Sequence, residues 1–300
     1  MRPYMVLLTL LLPAVSMAEN RIGAGGAIMW GKDNTSTRGG SVIKSLDKPE
    51  DSFLRALPIL DINLSYKSGA NTYFLRTSTE AMTPGLQVGF KRQGFVFEST
   101  ELYLGYNPIR KVWKDPYLLN TPREKTYQRD YEVGVKFFQG PSSLGIRSVY
   151  SDIEDDKLGE RERDLRRDRL LTEVSYSYRY SLSKNLDILP LLNLRYSNAK
   201  GKANSYAGYT LGLSGIYRQS TYLFNAGLGI DVDNYLNKDP ILLKKRKDTG
   251  YYLLVSMTKR SFIHKNVYLT SFTAYRQVNS NANFYDRKAL FFGVLTGYSW

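Results

Sequence analysis

Residues 289–300 read ALFFGVLTGYSW, and their reading decides the fold. Leu290, Phe292, Val294, Thr296, Tyr298 and Trp300 share one parity. Ala289, Phe291, Gly293, Leu295, Gly297 and Ser299 share the other. Successive side chains of a strand point to opposite faces, so this is a period-two strand. One face is large and mostly apolar; the other is smaller and carries the glycines. Aromatic residues stand at positions 298 and 300. Taken alone, the pattern also fits the last strand of a soluble sheet, and the rest of the chain separates the two readings.

A helical membrane protein is excluded first. No apolar run reaches the ~18–20 residues of a spanning helix, and mean hydropathy is −0.37. A barrel escapes that test, because only alternate residues of its strands face lipid. The chain has no cysteine, which rules out a disulfide scaffold, a thiolate metal site and a cysteine nucleophile. At the N-terminus, Met1-Arg2 is positive, Met5 to Val15 is apolar, and Ser16-Met17-Ala18 is a small-x-small cleavage site before Glu19. That order is a secretory signal peptide, residues 1–18, and it leaves 19–300 as one domain.

From Ile22 onward the chain reads as strand after strand. Ile22, Ala24, Gly26, Ile28 and Trp30 share one face of the first. Leu60, Ile62, Leu64 and Tyr66 oppose Asp61, Asn63 and Ser65 in the second. The clearest alternation puts Leu170, Thr172, Val174, Tyr176, Tyr178, Tyr180 and Leu182 opposite Leu171, Glu173, Ser175, Ser177, Arg179 and Ser181. An aromatic face backed by charges and hydroxyls suits a wall with lipid outside and water inside. Connections alternate long and short: loops at 32–55, 107–129, 152–168 and 233–248, and tight turns at Lys67–Asn71, Arg92–Gly94, Gly140–Ser143, Ser183–Asn185 and Gln219-Ser220. The connection around 80–84 is short for an outer loop and is the weakest point of the pattern.

The sequence therefore predicts an all-β, transmembrane, antiparallel up-and-down barrel of about 14 strands, with 12 if an early hairpin is misassigned. Short turns would lie on the periplasmic side and long loops outside. The terminal stretch 289–300 then resembles the C-terminal signal strand of Gram-negative outer-membrane barrels, which the barrel-assembly machinery reads and which closes the barrel on its first strand.

Four further stretches carry a family resemblance. They are Val112-Trp113-Lys114-Asp115-Pro116-Tyr117 with Arg123-Glu124-Lys125-Thr126, Asp164-Leu165-Arg166-Arg167-Asp168, Asn237-Lys238-Asp239-Pro240-Ile241 with Lys247-Asp248, and Asn283-Phe284-Tyr285-Asp286. In this order they resemble an uncharacterised outer-membrane barrel family, domain of unknown function family 2860. Lys114 departs from the acidic residue expected there, and Trp300 from the commoner terminal Phe. The resemblance implies a barrel in the outer membrane of a Gram-negative bacterium. It implies no settled activity.

Little chemistry is legible. The single histidine, His264, falls in a short turn; it has no companion for a triad or a multi-histidine metal site, so neither an enzyme nor a cofactor is expected. The carboxylates of 152–168 are interleaved with Lys157, Arg161, Arg163, Arg166 and Arg167, and internal salt bridging outweighs calcium binding. The basic run Lys244, Lys245, Arg246 and Lys247 offers an anion or lipopolysaccharide contact, against a plain solvated loop. Export excludes nucleic acid as the partner. The loop holding Trp113, Asp115, Pro116 and Tyr117 is too apolar to be freely solvated, so it folds into the mouth or over the rim. Arg179, Arg195, Arg218, Glu173, Lys136 and Arg147 are the candidate pore-lining residues, within an inward face where bases outnumber acids. The expected function is a porin-like channel for small, anionic or sugar-like solutes. The alternative is a non-conducting barrel that binds lipopolysaccharide or a partner through its outer loops.

Overall fold

A computed structural model describes residues 20–48, 52–78, 85–94 and 96–300. The expected signal peptide and the connection around 80–84 lie outside the described residues. Fifteen strand segments form one antiparallel sheet that closes on itself. In chain order they are β1 Arg21–Lys32, β2 Phe53–Ser68, β3 Asn71–Ser78, β4 Gly85–Gln93, β5 Ser99–Trp113, β6 Lys125–Gln139, β7 Ser142–Ile153, β8 Arg169–Tyr178, β9 Tyr180–Ser181, β10 Leu186–Ala199, β11 Tyr206–Gln219, β12 Tyr222–Lys238, β13 Lys245–Lys259, β14 Val267–Ser280 and β15 Arg287–Ser299. Segments β8 and β9 both pair with β10, so they are one wall strand and the barrel has fourteen. Their break falls opposite Leu189 and Pro190, between the pairs Leu191↔Ser177 and Ile188↔Tyr180. Pro190 has no N–H to give to a ladder.

The terminal strand closes the barrel. β15 pairs with β1 from Arg21↔Ser299 to Lys32↔Lys288, and Leu290, Phe292, Val294 and Tyr298 face outward, while Ala289, Phe291 and Leu295 are buried inside. Period-two alternation continues around the wall, giving a wide apolar belt that lipid must cover. Aromatic rows mark its borders. Tyr106, Tyr131 and Tyr150 are consecutive register partners on three strands. Tyr66, Tyr73 and Phe90 do the same near the opposite end. Such rows suit the two headgroup layers.

Strands run further outward than the alternation suggested. The loop expected at 107–129 is only 114–124, because β5 continues to Trp113 and β6 starts at Lys125. Likewise 233–248 shrinks to 239–244, because β12 reaches Lys238 and β13 starts at Lys245. Both extensions begin at a register shift, Asn107/Arg110 and Asn234/Lys238. Beyond the aromatic row both faces meet water or protein, so the apolar–polar contrast that marks a strand in sequence fades.

Inside, large side chains lie flat against the wall. A Cβ at Gly134 would strike the Tyr103 ring, and one at Gly229 would strike Tyr252. These glycines let the rings lie along the neighbouring strands instead of pointing into the lumen.

Candidate functional site, an outer cap over a charge-lined interior

The long connections fold together over the outer end. Ile43, Tyr117, Leu158, Leu165, Ala203 and Phe284 form a buried cluster, with Leu46, Leu119, Ile241, Leu242 and Tyr285 packed on it. Each of the six long connections within the described residues contributes. This is why those loops carry apolar residues: they bury them against one another. Ile43 and Leu119 make a parallel bridge between two loops.

Polar contacts lock the cap. Arg123 donates to the carbonyls of Asn34 (2.6 Å), Gly40 (2.8 Å), Ser41 (3.1 Å) and Pro116 (3.2 Å). Its guanidinium lies 4.4 Å from the Trp113 ring centroid. The Tyr117 hydroxyl donates to Asp239 at 2.6 Å and touches the Tyr285 hydroxyl. Burial pushes the Tyr117 phenol well above its ordinary pKa, so it stays a donor. Asp115 accepts from the Tyr117 N–H and pairs with Arg161 at 3.0 Å.

The charged loop 152–168 is the cap's other half. A short helix, α1 Lys157–Arg161, is capped by Asp156, which accepts from Gly159 N–H and pairs with Arg167 at 2.6 Å. Lys114 bridges Glu124 (2.8 Å) and Asp155 (2.9 Å), and those hydrogen bonds push its ammonium pKa up. Asp168 accepts from Ile153 N–H and pairs with Arg166 and Lys200, both at 3.1 Å. Burial pushes its carboxyl up, but these partners outweigh burial and hold it below the usual range. Lys157, Arg166 and Arg167 thus pair with carboxylates of the same loop, and Arg161 with Asp115 of the neighbouring one.

The interior carries two networks. On one side Arg76 meets Gln87 (2.9 Å) and Glu101 (2.7 Å), Gln87 reaches Glu132 (3.3 Å), and Arg147 joins Glu132 (3.4 Å) to Glu173 (2.8 Å). On the other side Arg195 pairs with Asp233 (2.8 Å) and Asp231 (3.6 Å), and Arg276 binds Asp231. Near the short turns, Arg21 and Tyr268 share Asp61 at 2.8 and 2.9 Å.

Of the expected pore-lining residues, Lys136, Arg147, Glu173 and Arg195 do lie on the inner wall, Lys136 above the Tyr103 ring at 5.5 Å. Arg218 and Arg179 lie at the short-turn rim, paired with Asp187 at 2.8 and 3.9 Å. The Arg179 side chain is 52% exposed there, beside the break in its strand. The interior bases are not left as free charge: Arg21 pairs with Asp61, Arg76 with Glu101, Arg147 with Glu132 and Glu173, Arg195 with Asp231 and Asp233, and Arg276 with Asp231. Buried charges need partners, and these wall carboxylates supply them.

The basic run splits. Lys244, Lys245 and Lys247 are exposed at the outer end. Arg246 is buried, bonded to Asp248 at 2.9 Å and stacked on Tyr235 and Tyr285 at 4.2 and 3.4 Å. It is a structural residue of the outer wall, not an exposed contact, because β13 starts at Lys245 and alternates from there. Trp113, Pro116 and Tyr117 all belong to the cap. Sequence reasoning missed Arg123, Asn34, Asp239 and Phe284. The signal was present, since Arg123, Asp239 and Phe284 lie in the stretches that carry the family resemblance, and all four stretches converge here.

A family model described as "Protein of unknown function (DUF2860)" matches residues 19–299. No curated protein matches the sequence. Among solved structures, a bacterial polysaccharide outer membrane secretin is similar at TM-score 0.51 and 9% identity, over 92% of this chain and 98% of that one. A Pseudomonas aeruginosa FadL homologue gives 0.49 at 12% identity, over 93% and 90%. The CymD monoaromatic hydrocarbon channel gives 0.49 at 10%, over 100% and 94%. Likeness at such identities is one of fold: this is an outer-membrane β-barrel fold.

Proposed function

We propose that this chain, which belongs to the DUF2860 family, is an outer-membrane channel for small solutes, closed at its outer mouth by a folded cap that must loosen for passage. One observation carries the reading: the interior charges pair along the wall, between strands at most three apart, and the large rings lie flat over glycines. Fourteen strands about 4.8 Å apart and tilted by about 40° enclose a cylinder roughly 28 Å across. A cylinder of that width is well beyond the eight-stranded barrels that side chains fill, which supports a passage. The charges of the two wall networks are paired, so Arg179, Arg218 and Arg260 at the short-turn rim are the residues that would set any anion preference.

The fold supports an outer-membrane location, and the exposed row Phe292, Val294 and Tyr298 is what the assembly machinery would read. Lys244, Lys245 and Lys247, at the outer end, are the residues positioned to meet lipopolysaccharide phosphates.

Conductance of the refolded protein in planar bilayers tests the channel. Wild type should open rarely, and Arg123→Ala, which unlocks the cap, should raise the open fraction at least tenfold. A barrel that inserts yet stays silent in both forms would refute conduction and favour a non-conducting surface barrel.

A further inference from the structure

The interior is two-sided. Across β3 to β12 the wall is charged. At mid-height across β13, β14, β15, β1 and β2 it is apolar, between the Arg21–Asp61 pair at one end and the Arg246–Asp248 pair at the other: Ala27, Met29, Leu254, Phe272, Ala274 and Phe291 form a buried cluster with Tyr252, Phe53 and Ala289, and Leu57 and Ile59 pack on it. An apolar stripe on five adjacent strands does nothing for a passage that carries only hydrated ions.

Arg276 stands beside this cluster. It is directly opposite Tyr252 in the β13–β14 ladder and opposite Ala289 in the next. Its Nη2 binds Asp231, but Nε and Nη1 have no partner among protein atoms. The Tyr252 hydroxyl has none either. Both residues are more than nine-tenths buried, at 5% and 3% exposure. Buried donors left without partners cost free energy unless something supplies an acceptor. The one carboxylate that Arg276 does bind, Asp231, is already shared: it accepts from Thr210 at 2.7 Å and lies 3.6 Å from Arg195.

We propose that this stripe binds a monoanionic amphiphile in transit: a carboxylate held by Arg276 and Tyr252, with an aromatic or alkyl body lying on the partly exposed apolar side chains Leu57 and Ile59 that pack on the cluster. Arg276 Nε and Nη1 and the Tyr252 hydroxyl offer three unpartnered donors to one carboxylate. This rests on the channel reading for its role, though not for its existence.

The test is equilibrium binding of labelled 4-phenylbutyrate to the barrel in nanodiscs, with empty nanodiscs as blank. Two probes separate the parts of the site: 4-phenylbutanol lacks the charge, and butyrate lacks the ring. Saturable binding of 4-phenylbutyrate is expected, at least tenfold tighter than either. Arg276→Gln should weaken it more than tenfold, Arg276→Lys only a few-fold, and Arg76→Gln, in the opposite network, should leave it unchanged. Folded barrel is confirmed for each variant by its heat-dependent shift on gels. Equal binding of the alcohol, or no loss in a folded Arg276→Gln barrel, overturns the proposal; so does the absence of saturable binding to wild type. Bilayer conductance is measured separately, so a silent barrel that still binds keeps the site and loses the channel, and a conducting barrel that does not bind does the reverse.

Discussion

Replacing Arg123 by alanine should open the cap while leaving the barrel intact. Arg123 is buried and reaches four carbonyls on two loops, with Trp113 beneath it. The acceptors on Gly40 and Ser41 lie near the surface and regain water on truncation. Those on Asn34 and Pro116 are buried, and each lost bond to a charged donor costs about 1.5–3 kcal/mol. Loss of the stack adds about 0.5–2 kcal/mol. The central expectation is roughly 6 kcal/mol, or about four powers of ten in the closed-to-open ratio of the cap. Lysine is a poor substitute, since one ammonium cannot span four acceptors or stack as a plane. Hydrogen exchange in bilayers measures this directly. Amides of 114–124, 154–168 and 281–286 should lose protection together in Arg123→Ala, because they share one core, while β1 and β15 keep theirs. Unchanged loop protection would refute the reasoning. Equal loss throughout the wall would refute it too, since the cap would then not be a separable unit.

Three other outcomes follow from named contacts. Arg147→Ala leaves Glu132 and Glu173 buried without their shared cation, and breaking such a pair costs about 3–5 kcal/mol; urea unfolding in lipid should show this, and Arg147→Ala with Glu132→Gln and Glu173→Gln should recover most of it. Cap protection should hold from about pH 4 to about pH 10. The Asp168 carboxyl is depressed in the fold, so its contribution is present above the unfolded value and is lost as pH falls below it; the Tyr117 phenol is raised, so its contribution is complete below about 10 and is lost above. Exchange of the loop amides against pH checks both edges, and a cap that loosens near neutrality contradicts the assignment. Phe292→Arg puts a charge on the lipid face of the closing strand, at a cost of about 2–4 kcal/mol near the midplane; membrane fractions should hold less heat-shifting barrel, whereas Phe291→Leu, on the inner face, should assemble normally.

The wall was readable residue by residue. In 289–300 every second position meets lipid and the others meet the interior, so the solvent contrast is written at a spacing of two and needs no knowledge of distant chain. The same rule located β8, and failed only where strands leave the lipid, as at 107–113 and 245–248. The cap was half readable. Trp113 and Tyr117 were too apolar for a free loop, which announced that something covers them, but not what. The pore-lining set was readable as to face and not as to effect: parity put Arg195 and Arg147 inside, yet their pairing depends on which strands are neighbours and at what height.

The sequence by itself therefore determined the barrel, its closure by the terminal strand and the inward or outward sense of the residues within the lipid belt, because these are set by contrasts between adjacent residues. Only the tertiary structure decided that six loops share one core, that the interior charges pair along the wall, that Arg246 is buried and that Arg276 stands beside an apolar cluster. Those facts rest on contacts such as Tyr117 to Asp239, 122 residues apart, and Asn34 to Phe284, 250 apart. No local pattern encodes such a meeting; closing the sheet into a ring brings the residues together, and the free energy of burying them in company holds them there.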